Sequence, residues 1–257
     1  MPAPPLSNTL DGGTNTGAIT TANSGGGSGD AFTGVVDPSG LLTYSNVQAR
    51  GTLSMRMIQP ATTDDAWVRW QTLGSLTGDL FNEVYIWLPS NPSSAQCLVQ
   101  WRDSGGVFLG RIQINTTGTV QLRAEAVGAI ATTTATIALS QWIRIEARFR
   151  AHATLGQAEL KLFNTDPEAT SPTETISASN VNTANAGAGN IDEIRVGSVI
   201  STGGSPSTTT YYDNIAVATD TWIGPAGSET HEGTSTNLGA GANTSDARRI
   251  AIATYTP

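Results

Sequence analysis

Apolar and polar residues alternate with a period of two through most of the chain beyond residue 30, the signature of half-buried β-strands. Residues 142–150 (WIRIEARFR) show it most cleanly. Ile143, Ile145, Ala147 and Phe149 fall on one side, with Trp142, Arg144, Glu146 and Arg148 on the other. Residues 119–125 set Val120, Leu122 and Ala124 against Gln121, Arg123 and Glu125, and 107–114 adds Ile112 and Ile114 against Arg111 and Gln113. These middle strands are expected to share one polar, arginine-bearing face, either the concave side of a curved sheet or a plain solvated one. The same period predicts strands at 41–46, 52–58, 66–73, 81–88, 96–102, 157–163, 192–199 and 210–218. Turn chemistry separates them at Asp37-Pro38-Ser39-Gly40, Asn91-Pro92, Asp103-Ser104-Gly105-Gly106, Thr117-Gly118 and Asp166-Pro167. No stretch has a helical period with caps, so the chain reads as all-β.

About eleven strands exceed a minimal immunoglobulin-like sandwich and fit a jelly roll of two large antiparallel sheets. The body is expected at 30–225. Residues 1–29 are Pro-rich, then Gly/Ser/Thr-rich, and read as an extended arm or as an edge strand around Ala18–Thr21. Residues 226–257 form a second low-complexity arm that ends in a strand-like stretch, 247–254. Its Arg248, Arg249, Ile250 and Ile252 are assembly candidates, pairing with a neighbouring chain's sheet edge or folding back on their own domain.

Composition narrows the partners. Charged residues are only 13% of the chain and the net charge is −8, which disfavours nucleic acid. Lys161 is the sole lysine against 12 arginines, and Cys97, the only cysteine, reads as a small buried hydrophobe. No cationic and apolar leader opens the sequence, and no apolar run is long enough to span a membrane.

The opening LDGGTNTGAITTANSGGGSGDAF, the middle WIRIEARFR and the closing IDEIRVGSV and YYDNIAVATDTWIGP together resemble laminin-G-like (concanavalin A-like) jelly-roll domains, over about residues 8–225. The variant they resemble is the kind found in actinobacteria and their phages. The resemblance implies a lectin-type sandwich, a binding or structural module of surface proteins or phage particles.

Candidate chemistry is sparse. A β-glucan hydrolase of related fold needs two glutamates flanking an aspartate on one strand, and no Glu-x-Asp-x-Glu occurs; Asp192 and Glu193 are adjacent and point to opposite faces. His152 and His231 lie in loop and tail contexts without a nucleophile motif, and with Cys97 they are too scattered for zinc. Asp213, amid Tyr211, Tyr212, Ile215 and Val217, needs compensation if buried. Structural calcium with Asp11 as co-ligand is one candidate, hydrogen bonding without metal the other. Most of the six tryptophans suit a core, and Trp67 and Trp142 are the candidates for stacking on a glycan.

The expectation is therefore a non-enzymatic phage virion structural protein, a head decoration or minor tail protein displayed on the particle. It would be attached through its terminal arms to other virion proteins and would form a homo-oligomer. The alternative is a carbohydrate-binding module for host surface or cell-wall glycan.

Overall fold

The computed structural model describes residues 4–59, 65–198 and 208–226, which belong to one compact unit. Arg248, Arg249, Ile250, Ile252 and the strand expected at 247–254 lie outside the described residues.

Among the described residues, fifteen strands form two antiparallel sheets and there is no helix. In chain order they are β1 (Leu6–Asn8), β2 (Gly34–Val36), β3 (Leu42–Ser45), β4 (Ser54–Gln59), β5 (Ala66–Leu76), β6 (Leu80–Trp87), β7 (Gln96–Arg102) and β8 (Phe108–Ile114). They continue with β9 (Thr119–Ala124), β10 (Gly128–Thr136), β11 (Trp142–Arg150), β12 (Gly156–Phe163), β13 (Glu174–Val181), β14 (Ile191–Ser198) and β15 (Thr208–Ala218). The eight-stranded sheet runs β13-β12-β11-β6-β15-β4-β3, with β1 also paired to β15; the seven-stranded sheet runs β10-β9-β8-β7-β14-β5-β2. This is a jelly-roll-like sandwich, as the alternation predicts.

Register decides which side chains meet. In the eight-stranded sheet Ile143, Ile145, Ala147 and Phe149 stand opposite Ile86, Val84, Asn82 and Leu80, and this side faces the core. The seven-stranded sheet contributes Val99, Trp101, Ile112, Ile114, Val120, Leu122, Ile194 and Val196. Trp101 stacks on Phe149 at 4.4 Å between ring centroids, joining β7 to β11 across the sandwich. Gly110, paired with Trp101, makes room for that ring: a Cβ there would lie 2.8 Å from Phe149 Cε2. A fully buried aromatic of this kind is worth about 3–5 kcal/mol against alanine.

Two sequence expectations change here. The N-terminal stretch is part of the body: β1 pairs with β15, and Leu6, Leu10 and Ile19 join the core. Around Ala18–Thr21 there is no strand, only an isolated bridge from Ala18 to Thr43. Nor do the middle strands share a polar face. β11 lies in one sheet and β8 and β9 in the other, so Arg144 and the Arg111–Arg123 pair stand on different outer faces.

Candidate functional site

The outer face of the eight-stranded sheet is covered. Glu83 of β6 and Glu146 of β11 are directly opposite each other and both 2% exposed. Arg144 Nε lies 3.3 Å from Glu146 and 3.9 Å from Glu83, and its Nη2 donates to the Ala169 carbonyl at 2.7 Å. Burial, then the neighbouring Glu146, push the Glu83 carboxyl up to about 9 against the pull of Arg144. Burial raises Glu146 as well, although Arg144 and Lys161 oppose it and Glu83 hydrogen-bonds to it. Two carboxyls this close cannot both ionise, so they hold a proton between them at neutral pH. The chain after β15 closes over them. Trp222 packs edge-on against Phe81 at 5.2 Å under the Lys161 ammonium, and the Ala226 N–H donates to Tyr85 Oη at 2.7 Å. Arg50 caps Tyr85 from above, 3.5 Å from the ring centroid, and pairs with Glu168.

This glutamate pair is what a search along single strands could not see. The two residues come from strands far apart in sequence, and only the register of β6 against β11 brings them together.

The outer face of the seven-stranded sheet is built differently. Register places Gly34, Arg69, Arg195, Gln100, Arg111, Arg123 and Ala129 in one row across all seven strands. The five long side chains of the row span four strand spacings, roughly 19 Å. Gly34 leaves room for Arg69, whose Nε would sit 2.5 Å from a Cβ at that position. Flanking the row are Trp67, Gln71, Glu193, Arg102, Gln113 and Gln121. Glu193 serves both Arg69, at 3.5 Å, and Arg195, while Arg111 pairs with Glu125 at 2.9 Å. Arg102 and Arg123 are held below the ordinary arginine range, first by burial and then by the neighbouring Arg195 and Arg111 respectively. Among the described residues, Trp67 Nε1, Arg69 Nε, Gln71 Oε1, Gln100 Oε1, Arg102 Nε and Arg123 Nε are buried without a hydrogen-bond partner. Gln100 is only 2% exposed, yet its oxygen finds no donor. Buried polar atoms normally have partners, and atoms without a hydrogen-bond partner lie on both outer faces, Glu83 Oε2, Arg144 Nη1 and Arg148 Nε among them on the eight-stranded sheet.

The residues singled out from sequence scatter over both faces. Trp67 lies beside the arginine row, but the Arg195 and Arg69 guanidinia stand 3.9 and 5.3 Å from its ring, and it is 5% exposed. Trp142 is on the opposite face, half-buried beside Trp87, which meets Tyr211 edge-on at 5.4 Å. Asp11 and Asp213 do approach one segment. Asp11 Oδ1 accepts from the Thr52 and Leu53 N–H groups at 2.8 Å, and Asp213 Oδ2 accepts from the Arg50 N–H at 2.8 Å. Burial still pushes Asp213 up to about 7. Among the described residues no group of three or more His, Cys, Asp or Glu gathers to hold a metal ion. A cavity of about 350 Å³ beside the N-terminal segment is lined by Ala18, Ile19, Thr20, Thr21, Val35 and Asp37 and brings no comparable set of polar side chains together.

No protein-family model matches the chain, and no curated protein sequence matches it. Solved structures do share the fold. The cellulose-induced protein Cip1 is 17% identical with a TM-score of 0.54, over 86% of this chain and 99% of Cip1. Alginate lyase vAL-1 from Chlorella virus is 10% identical with a TM-score of 0.50, over 73% of this chain and 99% of that one. Trypanosoma rangeli sialidase, in complex with a difluorinated nononic acid, is 9% identical with a TM-score of 0.50 over 83% of this chain. The chain spans about 30% of that sialidase's length.

These neighbours overturn the expectation of a non-enzymatic virion structural protein. The names they carry are those of a sialidase, an alginate lyase and a cellulose-induced protein, and none is that of a virion structural protein. The physical premise also falls in part: the N-terminal stretch taken as an attachment arm is built into the sandwich. What the comparisons establish is the fold, a two-sheet jelly-roll-like sandwich.

Proposed function

We propose that this chain is a carbohydrate-active protein that holds a glycan across the outer face of its seven-stranded sheet. The observation that carries this reading is the row of long polar side chains, Arg69, Arg195, Gln100, Arg111 and Arg123, that register lines up across five strands of that face. A sugar chain offers hydroxyls and ring oxygens in the density such a face requires, and a pyranose needs no deep pocket when a sheet presents a row of long polar side chains. The company of a sialidase, an alginate lyase and Cip1 in this fold supports the same reading. The laminin-G-like resemblance is part of the proposal, supported by the two-sheet architecture alone.

One observation favours a second site. Trp142, Trp87 and Tyr211 form an aromatic patch on the other outer face, and aromatic plates bind neutral sugars by stacking. Affinity electrophoresis of the full chain through gels containing soluble polysaccharides tests both. The account predicts retardation by at least one polysaccharide, unchanged in Trp142→Ala. Retardation that disappears in Trp142→Ala would move the site to the aromatic patch, and migration unaffected by every polysaccharide would contradict the function.

A further inference from the structure

Resting on the glycan reading, we propose that the sugar chain is an acidic polysaccharide whose successive anionic groups are taken by the arginine row. Arg69 stands directly opposite Arg195, and Arg111 directly opposite Arg123. Like charges in directly opposed positions on a sheet are destabilising, so the row is held against its own repulsion. The acids beside it do not balance it. Glu193 is divided between Arg69 and Arg195 and also stands opposite Arg102, whose guanidinium donates to the Gly106 carbonyl, while Glu125 pairs with Arg111. Arg69, Arg195, Arg102, Arg111 and Arg123 thus outnumber the glutamates beside them, Glu193 and Glu125, in a chain whose net charge is −8.

The geometry suits a repeating anion. Side chains of the row recur at each strand, about 4.8 Å apart, close to the advance of one sugar in an extended chain. Guanidinium groups bind carboxylates and sulfates through paired N–H donors, a fork that lysine lacks, and every cation of the row is an arginine. Gln100, at the centre of the row, is almost fully buried and spaces the Arg69–Arg195 pair from the Arg111–Arg123 pair. At one border Phe108, 40% exposed and 4.4 Å from the Arg102 guanidinium, offers an apolar plate for a ring.

The test compares polymers that differ only in charge. Full-length protein is titrated with polygalacturonate and alginate, each against its fully methyl-esterified form, and with dextran sulfate against dextran; polydeoxythymidylate serves as a polyanion without sugar acids. The proposal expects at least one acidic polymer to bind more than tenfold tighter than its neutral counterpart. Its affinity should fall steeply with added salt and drop more than tenfold in Arg69→Gln. The uronate and sulfate arms decide which anion is recognised. Equal binding of charged and neutral forms would overturn the acidic class and leave the glycan reading standing. Polydeoxythymidylate binding as tightly as the best acidic polymer would overturn it in favour of nucleic acid, and no binding in any arm would remove both readings.

Discussion

The two outer faces of the sandwich meet the same difficulty, unmatched charge on a packed sheet, and resolve it in opposite ways. On the eight-stranded sheet the charges are acidic and closed off. Glu83 and Glu146 lie beneath the chain that follows β15, sharing Arg144 and a proton. On the seven-stranded sheet the charges are basic and arrayed side by side. Carboxylic acids can shed their charge by taking a proton near neutral pH, whereas arginine cannot and needs an anion beside it, a need that Glu193 and Glu125 fill only in part. On the function proposed above, one face is closed by the fold itself and the other takes its counter-charge from a ligand. That difference separates structural polarity from functional polarity in a molecule with both.

Removing the internal counter-charge from the closed face gives the largest effect. Arg144→Ala leaves two buried carboxyls without their cation and is expected to lower stability by about 3–5 kcal/mol, read by urea unfolding at pH 7. A loss under 1 kcal/mol would mean that the glutamates are already fully neutral and that Arg144 acts only by packing.

A second effect follows from the proton on Glu83. Its folded-state value of about 9 lies above the ordinary carboxyl value of 4.5. The folded protein thus binds a proton that the unfolded chain releases. This stabilisation is complete below the ordinary carboxyl range and is lost as pH rises through about 9. Wild-type stability should decline from pH 5 to pH 9, and Glu83→Gln should flatten that decline. Part of the slope should survive in the variant, because Glu146 and Asp213 are raised in the same direction. Parallel profiles for the two proteins would show that Glu83 ionises normally.

Much of the sandwich was legible from local pattern. The eleven strands predicted by alternation all form, with ends shifted by three residues or fewer, because each has bulky apolar residues on its inner side. β10 (GAIATTTAT) and β13 (ETISASNV) escaped notice for a physical reason. They are the outer strands at corresponding ends of the two sheets and carry mostly small or hydroxyl side chains, so little burial marks a period. Glu174 of β13 accepts the Thr134 and Ala135 N–H groups of β10, a link between the two sheet edges that no local pattern announces. The candidate site was less legible still. Arg111 and Arg123 were recognisable as sharing a polar face. Their continuity with Arg69 and Arg195 depends on β14 lying between β5 and β7, a non-local fact. Trp67 was singled out as a stacking surface, yet on the folded face it supports two guanidinia.

The smallest change in stability bears most directly on the central claim, that the arginine row is kept for a ligand at the expense of the empty fold. Arg111→Gln/Arg123→Gln removes one directly opposed pair while keeping long polar side chains in place. Unfolding free energy without ligand, at low salt, and affinity for the best acidic polysaccharide should be measured on this one variant. The account predicts stability equal to or about 0.5 kcal/mol above wild type, together with binding weakened more than tenfold. A variant that is clearly less stable and binds as tightly as wild type would contradict it, making the row a part of the scaffold.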